Sequence, residues 1–274
     1  MEFYGLLGEK LSHSLSEEIH REILKYIGEE GAYKLFEVEE KDLEAFANAL
    51  KILKVKGSNV TIPYKEKIMK YLDHISEEAK RIGAVNTISL LNGKLYGDNS
   101  DYYGFAYMLK LHKIDLKDKT AVILGSGGAS KAVLCYLLDM GIGRVYIVSR
   151  NPKKNEFTQN NVEMISYKEL EGIKGDIIIN STPLGMYPKV DASPVNEDIL
   201  RNFNILVDLI YNPIETKFLE MGRKLGKQTV GGLYMLIGQA LKAQEIWQQR
   251  PIDKEIIKEI YDKLKNHPKI NKNN

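Results

Sequence analysis

Cysteine is all but missing: Cys135 is the only one among 274 residues. No disulfide can therefore form within the chain, and one cysteine with five scattered histidines offers no zinc spacing. Cys135 lies in the apolar helical run AVLCYLL and is expected to be a buried structural thiol. Charge of one sign is lacking too, with 39 basic against 37 acidic residues and a formal net charge of +2. That balance excludes broad binding of a nucleic-acid backbone, which needs a concentrated basic face. The one dense basic stretch, KLKNHPKINKNN, reads as a frayed, solvated end. No apolar run approaches the ~20 residues of a membrane span. The start, MEFYGLLGEK, has neither the charged opening nor the long apolar core of a signal peptide. What remains is a globular composition, 43% hydrophobic and 28% charged. It suits one large or two medium domains with substantial cores. The expectation is a cytoplasmic protein with no nucleic-acid or membrane partner.

Strand and helix patterns alternate along the chain. FYGLLG, YKLFEV and GSNVTI read as strands, and Ile19, Ile23 and Ile27 mark one face of a helix from Ser16 to Ile27. Leu43, Phe46, Leu50 and Leu53 mark the next helix. AVNTISLLNGKLYGD reads as two strands around an Asn92-Gly93 hairpin turn, followed by a helix over roughly 101–112. The pattern restarts at TAVILG and continues through RVYIVSR, VEMI, DIIIN, NILVDLI and KQTVG, with helical patterns between several of them. This rhythm implies a parallel sheet covered on both faces. The fold class is α/β. An N-terminal α/β domain, 1–100, precedes a doubly wound nucleotide domain, 101–231, and the helices in 232–274 return to complete the first.

In TAVILGSGGASKAVLCYLL a strand, a glycine turn and a helix follow in the order that a Rossmann dinucleotide site requires. Gly125, Gly127 and Gly128 permit a tight turn and close backbone approach, so that the helix N-terminus can hold a pyrophosphate. Ser130 stands at the third glycine position. A site for NAD needs an acid after the second strand. Here RVYIVSRNPKK offers Ser149, Arg150, Asn151, Lys153 and Lys154 instead. Cationic groups suit a 2′-phosphate, so NADP is the expected cofactor.

Two polar clusters carry the remaining chemistry. KGSNVTIPYKEKI reads as a strand running into a helix started by Pro63. Lys65 then falls in the first turn, where the helix dipole disfavours a cation and lowers its pKa. A lysine so tuned is useful for proton transfer near neutral pH. Asn59 and Thr61 alternate along the strand and face the same way. In GDNSDYYGF, Asp101 opens a helix, either as its cap or as a partner for a lysine. Ser14 and Ser16 stand at another helix mouth, where capping accounts for at least one of them. Asn86 and Thr87 interrupt an apolar strand and need partners there. Gln239, one turn from Met235, reads by itself as a surface residue.

Together these segments resemble the shikimate dehydrogenase family over nearly the full length. LSHSLSEEIH, GSNVTIPYKEKI, GAVNTI, GDNSDYYGF, ILGSGGASKA, INSTPLGMYP, DLIYNPIETKFL and GGLYMLIGQA occur in the family's order and at similar spacings. The family reduces 3-dehydroshikimate to shikimate with NADPH, reversibly, on the route to aromatic amino acids. The resemblance implies Lys65 as proton donor and acceptor, with Asp101 as its partner. It implies Ser14, Ser16, Asn59, Thr61, Asn86, Tyr211 and Gln239 as holders of the substrate's hydroxyls and carboxylate. Gly125, Ser126, Gly127, Gly128 and Ala129 would cradle the pyrophosphate, and Ser149, Arg150, Asn151 and Lys154 the ribose phosphate. Thr182, Met186, Leu209 and Gly232 would line the nicotinamide side. No metal is implied, the partners are small molecules, and the protein would be a monomer or a homodimer.

The chain departs from the family's pattern in three places. Glu17 and Lys10 stand where proline is usual, and Ser149-Arg150-Asn151 replaces Asn-Arg-Thr. Two other readings stay open. A quinate/shikimate dehydrogenase accepting NAD would carry an acid after the second strand, which is absent. A non-catalytic sensor of shikimate-like ligands could dispense with Lys65 or Asp101, and both are present.

Overall fold

The computed structural model describes residues 1–12, 14–152 and 159–270. The chain opens with strand β1 (Glu2–Gly8), followed by α1 (Ser16–Tyr26), β2 (Gly31–Glu37), α2 (Leu43–Ile52) and β3 (Gly57–Val60). The short β4 (His74–Ile75) and α3 (Glu77–Ile82) precede a hairpin of β5 (Thr87–Leu91) and β6 (Lys94–Asp98), and α4 (Asp101–Leu111) comes next. The hairpin closes at Asn92-Gly93, both with positive φ, as that turn demands. These strands form one sheet in the order β2-β1-β3-β5-β6-β4. β1 runs parallel to β2 and β3, whereas β5 is antiparallel to β3 and β6.

Then follow β7 (Thr120–Leu124), α5 (Gly128–Asp139), β8 (Arg144–Val148), β9 (Val162–Ile165), α6 (Tyr167–Leu170), β10 (Ile177–Asn180), α7 (Glu197–Leu200), β11 (Ile205–Asp208), α8 (Lys217–Lys224) and β12 (Gln228–Val230). Two helices close the chain, α9 (Leu233–Gln248) and α10 (Glu255–Leu264). The second sheet is wholly parallel, in the order β12-β11-β10-β7-β8-β9. This is the doubly wound dinucleotide order, with the switch point at β7. Its inner strands bury both faces, which is why TAVIL, IIIN and ILVD read as unbroken apolar runs.

Contacts divide the chain into two compact units: Met1–Gly104 with Ile237–Lys263, and Phe105–Leu236 with the residues from Leu264. The sequence pattern sets the bounds at 100 and 231; the division falls inside α4 and α9, within continuous helices. In the first unit, one face of the sheet packs Tyr4, Leu6 and Tyr33 against Leu24 of α1 and Ala243 and Trp247 of α9. The opposite face packs Leu7 and Val60 against Leu43, Phe46 and Leu50 of α2. The second unit's core centres on Val122, Leu124, Ile178, Phe203, Leu206 and Phe218.

Four local expectations are corrected. No α-helix starts at Pro63: turns lead to a 3-10 helix over Lys67–Tyr71. The reason is a competing donor: the Lys65 carbonyl accepts the Val85 N–H at 2.8 Å, and the Met69 N–H turns to the Glu66 carbonyl. The dipole argument for Lys65 lapses with the helix. At α1 the N-cap is Leu15, without a side-chain cap, so neither serine caps that helix; the Ser14 hydroxyl instead accepts the Ser16 N–H at 3.1 Å. Cys135 is half-buried, at the edge of the face that α5 buries through Ala132, Val133, Tyr136 and Leu137. The basic end is docked through residue 270: Ile270 is fully buried and the Lys269 carbonyl accepts from Asn212 at 2.7 Å.

Candidate active site

In the first unit, topology gathers the polar segments at one end of the sheet. β1 and β3 are parallel and end side by side, with Leu7 opposite Val60. β5 runs the other way, so its first residue, Thr87, lies opposite Asn59, and β6 ends opposite it at Asp98. The turns holding Ser14, Thr61 to Lys65, Asn86 and Asn99 to Asp101 therefore meet beyond the same strand ends.

Each turn is fixed by its own anchors. Tyr64 is fully buried and donates its hydroxyl to the Val38 carbonyl at 2.7 Å, which sets the backbone from which Lys65 projects. Asp101 opens α4, but its side chain caps nothing. One carboxylate oxygen accepts from Lys65 Nζ at 2.5 Å and the other from Asn86 Nδ2 at 2.8 Å. The ion pair is largely out of water, with side chains 14% and 7% exposed. Asn99 Oδ1 accepts the Asp101 N–H at 3.0 Å, and Asn99 Nδ2 donates to the Ala84 carbonyl at 2.9 Å.

The network extends inward. Asn86 Oδ1 accepts from the Ser100 N–H at 2.6 Å and from the Thr87 hydroxyl at 3.0 Å. The Ser100 hydroxyl donates to Gln239 Oε1 at 3.3 Å, so Gln239 is a buried member of the cluster and not a surface residue. Asn59 Nδ2 donates to the Asn86 carbonyl at 3.2 Å and to Thr87 Oγ1 at 3.3 Å, while Asn59 Oδ1 accepts from Tyr33 at 2.8 Å. Ser14 donates to Ser16 Oγ at 3.1 Å. Thr61 follows β3, half-buried, on the face that Asn59 uses. Lys65, Asp101, Asn86, Asn59 and Gln239 thus share one hydrogen-bonded cluster. Tyr211 lies in the other unit, in the loop after β11.

Sequence reading missed several members of this cluster. Asn99 and Ser100 adjoin Asp101, and that adjacency was the available signal. Tyr33 and His20 gave none, because each sits inside an ordinary amphipathic strand or helix. His20 is wholly buried, stacked on Tyr33 at 4.2 Å, with its Nδ1 3.0 Å from the Gln244 amide. Burial pushes its pKa down to about 3, with Asn59 opposing the shift.

In the second unit, Gly125 follows β7 with φ +104°, a conformation that favours glycine. A Cβ added there would stand 3.0 Å from the Ser181 hydroxyl. At Gly127 the same Cβ would meet no protein atom within 4 Å, so the space over the turn is open. Gly127 caps α5 without a side-chain bond, and no acid stands in the first turn. Ser126 is exposed, and Gly128 and Ala129 open the helix half-buried. The free N–H groups of such a helix start suit a pyrophosphate. Ser130, at the third glycine position, is buried and donates its hydroxyl to the Gly127 carbonyl at 2.6 Å, tying the turn to the helix. β8 ends at Val148 and is followed by Ser149, whose hydroxyl accepts the Asn151 N–H at 3.3 Å, and by exposed Arg150. These residues and the open turn fit a dinucleotide carrying a ribose phosphate. Lys154 lies outside the described residues.

β10 and β11 end in register, with Asn180 opposite Asp208. Asp208 is fully buried and accepts from Asn180 at 3.1 Å, from the Ile210 N–H at 3.0 Å and from the Thr216 hydroxyl at 2.6 Å. Burial raises its pKa to about 6 against those bonds. Asn180 Oδ1 accepts from the Thr182 hydroxyl at 2.7 Å, which fixes the loop that leads to exposed Met186. A Cβ on Gly232 would sit 2.2 Å from the Leu209 carbonyl, so this close approach needs glycine. Leu209 and Gly232 are thereby brought together. Asn180 and Asp208 are the organising residues here that sequence reading did not single out.

Among the described residues, no group of three or more His, Cys, Asp and Glu could hold a metal ion, and no helix is long and apolar enough to cross a membrane.

Comparison with known proteins adds independent findings. Residues 6–88 match the family model described as the shikimate dehydrogenase substrate binding domain. The chain is 56% identical over 267 residues to a shikimate dehydrogenase (NADP(+)) of Clostridium beijerinckii, covering 97% of this chain and 99% of that one. A crystal structure of shikimate dehydrogenase 1 from Peptoclostridium difficile is 54% identical with a TM-score of 0.93, covering 97% and 98% of the two chains. The shikimate 5-dehydrogenase of Thermus thermophilus, solved in complex with NADP(H) and shikimate, is 31% identical with a TM-score of 0.84, covering 96% and 99%. With relatives this similar over almost its whole length, the chain belongs to the shikimate dehydrogenase family.

Proposed function

We infer that this chain is an NADP-dependent oxidoreductase that reversibly reduces 3-dehydroshikimate to shikimate, a step toward the aromatic amino acids. The observation that carries the reading is the buried Lys65–Asp101 pair, 2.5 Å apart and backed by Asn86. When bound, the nicotinamide supplies the hydride to the ring ketone and takes it back in reverse. Lys65 Nζ donates a proton to the developing alkoxide oxygen, and in the direction of shikimate oxidation it removes the hydroxyl proton. Asp101 holds the ammonium in place, and Asn86 holds Asp101. General acid–base help of this kind is worth ~100- to 10,000-fold.

Ser14, Ser16, Thr61, Tyr211 and Gln239 are assigned to the substrate's hydroxyls and carboxylate. Asn59 and Asn86 have most of their bonding capacity taken up by protein, and they act chiefly by shaping that pocket. Gly125 to Ala129 hold the pyrophosphate, and Ser149, Arg150, Asn151 and Lys154 the ribose phosphate. Thr182, Met186, Leu209 and Gly232 border the nicotinamide. The enzyme is assigned to the cytoplasm, where a lone cysteine stays reduced, and to a monomer or homodimer. The domain assignment follows the sequence pattern: 1–100 completed by 232–274 for substrate, and 101–231 for NADP.

The test is NADP reduction by the purified protein with shikimate, quinate or buffer alone, followed at the reduced nicotinamide's absorbance. Shikimate-dependent reduction with NADP well ahead of NAD is expected. Lys65→Ala should lower kcat at least ~100-fold with little change in the KM for shikimate. Near-normal turnover by that variant would remove Lys65 from the reaction.

A further inference from the structure

We propose that Tyr33 is a positioning residue for shikimate binding: its hydroxyl orders the Asn59 amide, and through Asn59 the cluster that carries Asp101. This rests on the proposed shikimate reaction and deepens it.

The geometry is directional. A phenol has one proton to give, and Tyr33 gives it to Asn59 Oδ1 at 2.8 Å. That bond settles which end of the Asn59 amide faces inward. Its two N–H groups must then point at the Asn86 carbonyl and Thr87 Oγ1, as they do. Thr87 donates to Asn86 Oδ1, and Asn86 Nδ2 donates to Asp101. One run of donors and acceptors therefore leads from Tyr33 on β2 to the carboxylate that holds Lys65.

Tyr33 is itself held rigidly. Its ring stacks on His20 at 4.2 Å with planes 10° apart, and His20 is braced by Gln244 and lies 5.3 Å from Trp247. Burial keeps the phenol protonated, with its pKa well above the ordinary value, so it remains a donor at every working pH. Without the hydroxyl, Asn59 Oδ1 loses the donor that holds it.

The experiment is Tyr33→Phe, which keeps the ring and its stacking. We expect the KM for shikimate to rise about tenfold, from a net hydrogen bond of about 1.4 kcal/mol. The KM for NADP should stay unchanged and kcat should fall less than threefold. Tyr4→Phe removes a hydroxyl from the same core, one that accepts from Gln248 at 2.9 Å, and serves as the control. It should leave the shikimate KM as it was. Equal shikimate KM values in Tyr33→Phe and the parent overturn the proposal, as does an equal rise in both variants. If Tyr33→Phe does not fold, Asn59→Ala tests the same link from its other end: a KM for shikimate within twofold of the parent overturns the proposal. A parent protein inactive with shikimate would sink the proposed reaction itself, and that result is seen before any variant is compared.

Discussion

Replacing Asp101 with asparagine preserves shape and changes one thing, the number of acceptors. In the native site both carboxylate oxygens accept, one from Lys65 and one from Asn86. An amide has one acceptor oxygen and one donor nitrogen. In either orientation of the amide, a donor faces another donor: N–H against the ammonium, or N–H against Asn86 Nδ2. Asn86 cannot turn its own oxygen inward without releasing Ser100 and Thr87. One buried donor is thus left unmatched at a cost of about 1–3 kcal/mol, and the ammonium, only 14% exposed, loses its counter-charge. We expect Asp101→Asn to lower kcat/KM by about 2–4 kcal/mol, a factor of ~30 to ~1,000. Its melting temperature should drop by several degrees. The assay is the initial rate of shikimate oxidation, with thermal unfolding followed in parallel. Adding Lys65→Ala to Asp101→Asn should cost little beyond the worse single change, because the two residues act as a unit. A variant within twofold of the parent rate and with the parent's melting temperature would refute the reasoning.

Other outcomes follow from particular contacts. Gly127→Ala should fold with an unchanged melting temperature, since its Cβ meets no protein atom, yet raise the KM for NADP at least ~10-fold by occupying the space over the turn. Gly232→Ala should instead destabilise the second unit by ~2 kcal/mol or more, because its Cβ lands on the Leu209 carbonyl; soluble protein with the parent's thermal stability would contradict that close approach. His20 has a folded pKa of about 3 against an ordinary 6.5. It therefore adds stability that is present above pH 6.5 and lost as the pH falls toward 3. Fluorescence of Trp247, 5.3 Å away, should report that loss, and His20→Asn should flatten it. Asp208 has the opposite sign. Its folded pKa of about 6 exceeds the ordinary 3.8, so its contribution is full below pH 3.8 and lost as the pH rises through 6. Asp208→Asn should remove that decline, as read from denaturant unfolding of the second unit between those pH values.

Legibility followed the range of the forces involved. The β5–β6 hairpin was readable because Asn92-Gly93 meets a local φ requirement. The strand, glycine turn and α5 were readable because their order and spacing are local as well. Asn59, Asn86, Lys65 and Asp101 stood out as polar residues in apolar or structured segments, where each needs a partner. Which partner was not written in the local pattern. Lys65 and Asp101 are 36 positions apart, and Tyr33 and Asn59 are 26 apart. The helix expected at Pro63 failed for the same reason, since Val85, distant in sequence, took the carbonyl that would have continued it.

The amino-acid order by itself determined two α/β halves, the dinucleotide turn, the missing acid after β8 and the residue types present at the reacting end. Backbone preference and hydrophobic period act over a few residues and need nothing else to be read. The folded molecule alone decided that Asp101 holds a lysine and does not cap its helix, that Gln239 is buried in the cluster, and that Tyr33 and His20 stand behind Asn59. Each of those outcomes depends on how donors and acceptors from separate strands share one another, and that matching exists only once the strands have come together.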